Sequence, residues 1–171
     1  APSYTDALTG LPNRRAIFED LTTLFSLARH LKRNTVIAFI DLDDFKLIND
    51  RYGHEAGDQF LIEVGKRLTE EKRQDDIIGR LGGDEFLVAS LSTSHSEGDN
   101  AQVTLVKTRL SACIAGEYWL GSVNLIYPGA SVGVIEVDPR VTDPDSALRD
   151  ADVAMYQDKK GKSKTRFLTM D

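Results

Sequence analysis

Five apolar residues, Val36-Ile37-Ala38-Phe39-Ile40, run straight into Asp41-Leu42-Asp43-Asp44, a change from hydrocarbon to carboxylate within one position. No other feature constrains the chain as much. The run is rich in β-branched residues and apolar at both parities, the pattern of a strand buried on both faces. It is the longest apolar stretch present, far short of the roughly 20 residues that a membrane span needs. No basic-then-apolar leader precedes it. The strand therefore belongs to a globular core and delivers carboxylates to one end of a sheet.

A length of 171 residues predicts one domain spanning 1–171. With 41% hydrophobic and 28% charged residues, the composition is globular and excludes a disordered or fibrous chain. Cys113 is the lone cysteine, which excludes an internal disulfide and a zinc site of several thiolates. With no Asn-x-Ser/Thr sequon either, the expectation is a reducing, cytoplasmic setting. The net charge of −6 argues against general nucleic-acid binding, which needs a basic face. Acidic residues cluster at Asp41–Asp44, Asp75–Asp76 and Asp84–Glu85, whereas Lys159 to Arg166 is strongly basic. Brought together, such segments suit a metal-bound polyanion.

Asn13 reads as the N-cap of a helix from Arg14 to about Lys32, with Ile17, Leu21, Leu24, Ala28 and Leu31 inward. Phe45 to Arg51 is a short helix ended by Gly53, and Glu55 to Lys72 a longer one carrying Phe60, Val64 and Leu68. Ile77 to Leu81 and Glu85 to Ser90 form a hairpin through Gly82-Gly83-Asp84. Ser92 to Asn100 is polar loop, and Val103, Val106, Leu110 and Ile114 mark a further helix. Tyr118 to Tyr127 is a second hairpin around Gly121-Ser122, followed by a strand from Ala130 to Val137. Asp143-Pro144 opens a last helix, with Leu148, Ala151 and Met155 inward. The expected class is α+β: a ferredoxin-like or palm-type, mainly antiparallel central sheet flanked by helices, with an additional β-hairpin.

A carboxylate is costly to desolvate unless paired or bound to a cation. An isolated strand-end aspartate reads as a cap or a solvated edge; two clusters in matching positions point to chemistry. If the Gly82-Gly83 hairpin pairs beside the first strand, Asp41 and Asp84 face one another, and their hard oxygens suit Mg²⁺ with substrate phosphates. Two other motifs fail. Asp41-Leu42-Asp43-Asp44-Phe45-Lys46 lacks the fifth-position oxygen ligand and sixth-position glycine of a calcium loop. Gly161-Lys162-Ser163 follows a helix instead of opening one, with Tyr156 where a phosphate loop has its first glycine.

Leu81-Gly82-Gly83-Asp84-Glu85-Phe86 carries the GGDEF motif, and the sequence resembles the bacterial GGDEF-domain diguanylate cyclases along nearly its whole length. Asp6-Ala7-Leu8-Thr9-Gly10-Leu11-Pro12-Asn13-Arg14-Arg15 matches the family's opening, and Asp41-Leu42-Asp43-Asp44-Phe45-Lys46 its first strand end. Asn49-Asp50-Arg51-Tyr52-Gly53-His54, Gly57-Asp58, Ser131-Val132-Gly133 and Ala151-Asp152 through Met155-Tyr156 follow in order. The resemblance implies a palm-like domain that condenses two GTP into cyclic di-GMP, with two domains meeting face to face.

Carried onto this chain, the resemblance makes Asp41, Asp84 and the Leu42 carbonyl ligands of Mg²⁺, with Mn²⁺ as a substitute. Asp84 assists deprotonation of the 3′-hydroxyl, and Asp41 and Glu85 complete the catalytic candidates, although Glu85 can also face a strand neighbour or solvent. Asn49 and Asp58 read the guanine edge, whose O6 acceptor and N1/N2 donors an amide and a carboxylate satisfy together. Lys46 and Lys159 contact phosphates, as do the N–H groups of Asp43, Asp44 and Phe45 at a helix start. Gly82 and Gly83, beyond their turn chemistry, let the nucleotide approach the backbone closely. His54 reads as a hydrogen-bonded structural histidine, and Asp6 with Arg80 as an ion pair.

The family's arginine after the conserved lysine is absent: Ser163 or a shifted Lys162 stands in its place, so weaker GTP binding is expected. Arg73-Gln74-Asp75-Asp76 matches the family's inhibitory Arg-x-x-Asp, implying that Arg73 and Asp76 bind cyclic di-GMP; a charged helix end is the plain alternative. Other readings are a catalytically silent GGDEF module that binds GTP or cyclic di-GMP as a receptor, and a different purine nucleotide cyclase. Degenerate members lose the motif carboxylates, whereas Asp41, Asp84 and Glu85 are all present. The start so close to the family's opening motif gives the expectation of a domain excised from a longer sensor protein, whose membrane attachment the sequence does not reveal. An isolated fragment of that kind is expected to be mostly monomeric and weakly active.

Overall fold

The computed structural model describes residues 3–93 and 101–162, and the backbone of 168–170. The polar-loop reading at Ser94 to Asn100 and the basic tail from Ser163 to Arg166 lie outside the described residues.

Helix α1 (Arg14–Leu31) starts where the Asn13 side chain accepts the Ala16 N–H at 3.1 Å. Strand β1 (Thr35–Asp41) follows, then α2 (Phe45–Tyr52), α3 (His54–Glu71), β2 (Ile77–Gly82) and β3 (Glu85–Leu91). Next come α4 (Ala101–Ile114), β4 (Gly116–Trp119), β5 (Asn124–Tyr127), β6 (Ser131–Val137), α5 (Pro144–Gly161) and β7 (Leu168–Met170). Asp143 caps α5 as expected, its side chain accepting from Ser146 N–H at 2.8 Å, with Pro144 in the first turn.

Four strands form one sheet in the order β2-β3-β1-β6, every neighbour antiparallel. This is the ferredoxin-like arrangement expected from the hairpins. The second hairpin, β4–β5, takes β7 as a third strand, making a small separate sheet. Strand β7 was not expected, because the elements read from the sequence end with the basic tail that closes at Arg166.

Strand β1 explains the layering. Val36, Ala38 and Ile40 join the cluster under α3 and α4, while Ile37 and Phe39 join the one under α1 and α5. Alternation of side chains across a strand then sends Asp41 to the α1/α5 side. Leu31 departs from its expected inward position and is 43% exposed, since α1 ends there with Lys32 in a left-handed cap. His54 also differs: it is exposed on the first turn of α3, with no side-chain hydrogen bond among the described residues.

Candidate active site

The β1–β3 ladder brings the two acidic segments together. Asp41 lies opposite Glu85 in register, and one rung further the Leu42 N–H donates to the Asp84 carbonyl at 3.0 Å. The hairpin tip reverses through Gly82 (φ 146°) and Gly83 (φ 47°), conformations that a side chain disfavours. Arg80 secures the tip: its Nε and one terminal nitrogen donate to the Gly83 carbonyl at 3.0 and 2.8 Å. Its other terminal nitrogen meets both Asp6 oxygens at 3.1 Å, so the expected ion pair exists and ties the opening motif to the turn.

Asp41 is buried, and its Oδ1 has no hydrogen-bond partner among the described residues. Its Oδ2 accepts from Lys159 Nζ of α5 at 3.3 Å. Burial, and then the Asp84 charge, push its carboxyl up to about 6, against the pull of Lys159. A half-satisfied, desolvated carboxylate beside a second one is a donor set that a hard divalent cation fits. No group of three or more His, Cys, Asp or Glu side chains is assembled for a metal among the described residues. The third ligand expected from the sequence, the Leu42 carbonyl, accepts a 3.3 Å bond from Phe45 N–H. Burial, then the charges of Asp41, Asp152 and Asp84, raises the Glu85 carboxyl despite Arg14. Glu85 borders a hollow of about 370 Å³ between α1 and α5, with Arg14, Phe39 and Arg149 on its walls.

Apart from Lys159 on α5, the phosphate candidates sit around the start of α2. Lys46 is exposed on its first turn, and Asp44 takes a left-handed conformation (φ 62°) at its N-cap. The Phe45 N–H turns back on Leu42, so of the three expected phosphate donors it is already engaged. Asp43, expected to offer its backbone N–H, also has a side chain engaged within the fold. Its Oδ1 accepts from Ser131 Oγ at 2.7 Å and its Oδ2 from Lys162 Nζ at 2.5 Å, while its backbone carbonyl accepts from Tyr127 Oη at 2.6 Å. Its side chain anchors the turn. The sequence reading missed Tyr127 as a site residue; Ser131 stood in a quoted motif, without a role.

Asn49 on α2 lies against Gly57 of α3, where a Cβ would collide with Asn49 Oδ1, and Asp58 is the next, exposed residue. The α2–α3 corner thus brings the two guanine candidates to one place. Arg73 and Asp76 form a tight turn after α3, the Asp76 carboxylate accepting Arg73 N–H at 3.0 Å. Beside it opens a cavity of about 320 Å³ lined by Leu68, Ile78, Val88, Val106 and Arg109. It is separate from the carboxylate pair.

The model of the family "Diguanylate cyclase, GGDEF domain" matches residues 3–165. Diguanylate cyclase DgcP of Escherichia coli K12 is 62% identical over 168 residues, covering 98% of this chain and 48% of the relative. The chain thus spans about half the length of that curated relative, and 22% and 20% of two others. Among solved structures, a sensory box/GGDEF family protein of Caulobacter crescentus superposes with a TM-score of 0.82 at 30% identity, covering 94% of this chain and 100% of that one. The GGDEF domain of DgcB from the same organism, solved in complex with c-di-GMP, gives 0.81 at 25% identity over 96% and 94%. A match over nearly the full chain, with the motif at the hairpin tip and its carboxylate beside Asp41, leaves one assignment: the chain belongs to the GGDEF-domain family of diguanylate cyclases.

Proposed function

We propose that this domain is a diguanylate cyclase, condensing two GTP into cyclic di-GMP with release of two pyrophosphates. The observation that carries this reading is the Asp41–Asp84 juxtaposition, with Asp41 Oδ1 buried and unpartnered among the described residues. Asp41, Asp84 and the Leu42 carbonyl would hold Mg²⁺, or Mn²⁺ in its place; when bound, the ion neutralises phosphate charge and acidifies the attacking hydroxyl.

The chain's own groups do the remainder. Asn49 and Asp58 pair with the guanine edge, and an adenine would leave both mispaired. Lys46 and Lys159 neutralise the phosphates, Lys159 leaving Asp41 to do so, and the Asp43 and Asp44 N–H groups add donors at the start of α2. Gly82 and Gly83 keep the tip free of side chains where the nucleotide passes. Asp84 takes the 3′-hydroxyl proton, and Glu85 stands behind it as a second carboxylate. Each domain holds one GTP, so two copies must meet face to face, and Arg73 with Asp76 binds the product as an inhibitor. A cytoplasmic location and an upstream sensory segment in the parent complete the proposal. Among the described residues no helix is long and apolar enough to cross a membrane.

The test is incubation with GTP and Mg²⁺ followed by chromatography, beside Asp84→Ala. Cyclic di-GMP from the parent alone supports the proposal. Product binding without turnover replaces it with a receptor. Turnover per molecule that rises with protein concentration supports the two-domain encounter; constant turnover across a wide dilution range removes it.

A further inference from the structure

The C-terminal end of α5 sends two ammonium groups onto the Asp-Leu-Asp segment: Lys159 in the last turn reaches Asp41, and the C-cap residue Lys162 reaches Asp43. The two contacts differ in kind. Lys159 is 45% exposed and touches a carboxylate whose other oxygen has no partner among the described residues, so it can swing to a ligand. Lys162 is 30% exposed and donates both to Asp43 and to the Ala130 carbonyl, at 2.7 Å. Both Asp43 carboxylate oxygens are engaged, Oδ1 by Ser131 and Oδ2 by Lys162, and its backbone carbonyl by Tyr127. Moving Lys162 to a phosphate would strip a buried carboxylate of its cation, which is expensive.

Resting on the cyclase reading above, we infer that Lys162 is a positioning residue, clamping the end of α5 to Asp43 and thereby holding the turn that presents the Leu42 carbonyl and the α2 amides. It is not a replacement for the phosphate-binding arginine that the sequence lacks. The clamp reaches the turn through Asp43, while its bond to the Ala130 carbonyl fixes the same ammonium beside β6; this dependence on Asp43 separates it from a phosphate ligand.

The experiment is a double-mutant cycle on the purified chain with Lys162→Met, Asp43→Asn and the pair, reading kcat and KM for GTP. It includes Lys162→Arg and hydrogen exchange of the peptide covering 42–48. Each single change lowers kcat/KM about tenfold, as for other residues that orient a metal site. The pair is no worse than the poorer single, Lys162→Arg recovers most of the loss, and exchange at 42–48 quickens in Lys162→Met. Losses that multiply, or a higher KM with unchanged kcat and unchanged exchange, overturn the inference. Should Asp43→Asn not fold, the exchange comparison of Lys162→Met with Lys162→Arg decides. Absence of product from the parent chain refutes the cyclase reading, while the exchange result still judges the clamp.

Discussion

The Leu42 N–H reaches the Asp84 carbonyl at 3.0 Å, one rung past the Asp41–Glu85 pair, and sets two carboxylates from distant segments close enough to feel each other's charge. The protein holds this repulsion in place, at the end of its most buried strand.

A carboxyl raised from 3.8 to about 6 binds more protons in the folded than in the unfolded state between those values. Stability from Asp41 is therefore present below pH 4 and is lost as pH rises through about 6. Asp41→Asn removes that loss, so in metal-free buffer at pH 8 it is more stable than the parent by about 1–2 kcal/mol, with a flatter pH profile. Thermal melts across pH 4 to 8 check this. Cyclase activity of the same variant falls by about a hundredfold or more.

Asp6 has the opposite sign. Burial penalises its charge, but hydrogen bonds from Thr9 and Arg80 outweigh that and hold its carboxyl below the usual range. Its contribution is present above the unfolded value of 3.8 and is lost as pH falls through the lower folded one. Asp6→Ala costs about 2 kcal/mol at neutral pH, because the Arg80 guanidinium loses its carboxylate. Denaturant titration at pH 7 and pH 3 measures it, and the gap between variant and parent narrows at the lower pH.

Gly57→Ala places a methyl group where Asn49 Oδ1 now sits. Alanine favours the helix, so the melting temperature is held or raised while Asn49 is displaced. The expected result is a KM for GTP higher by about tenfold and a weaker preference for GTP over ATP. Steady-state kinetics with both nucleotides, beside a melt, tests it.

Arg73 holds its turn through a backbone N–H, which leaves the guanidinium available to a ligand. Arg73→Ala therefore keeps the turn and weakens cyclic di-GMP binding by about ten- to a hundredfold, the value of a hydrogen bond to a charged group. Titration calorimetry decides, and unchanged affinity removes the inhibitory site.

Local signals carried most of the fold. The Asn13 and Asp143-Pro144 caps, the two hairpins and the buried strand were all legible, because each depends on residues close along the chain. Leu31 and His54 were misread for a related reason: periodicity and residue type do not report where a helix runs past its partner. Strand β7 escaped because its three residues gain order from the β5 edge they pair with.

By itself the sequence determined the elements, their caps and turns, and the carboxylates waiting at the end of a strand, since those follow from backbone sterics and the burial of apolar side chains. Only the tertiary structure decided which charges meet. The β1–β3 register put Asp84 beside Asp41, and the packing of α5 on β1 and β6 laid Lys159 on Asp41 and Lys162 on Asp43. Pairings across such separations come from strand order and helix placement, and no spacing along the chain encodes which ammonium finds which carboxylate.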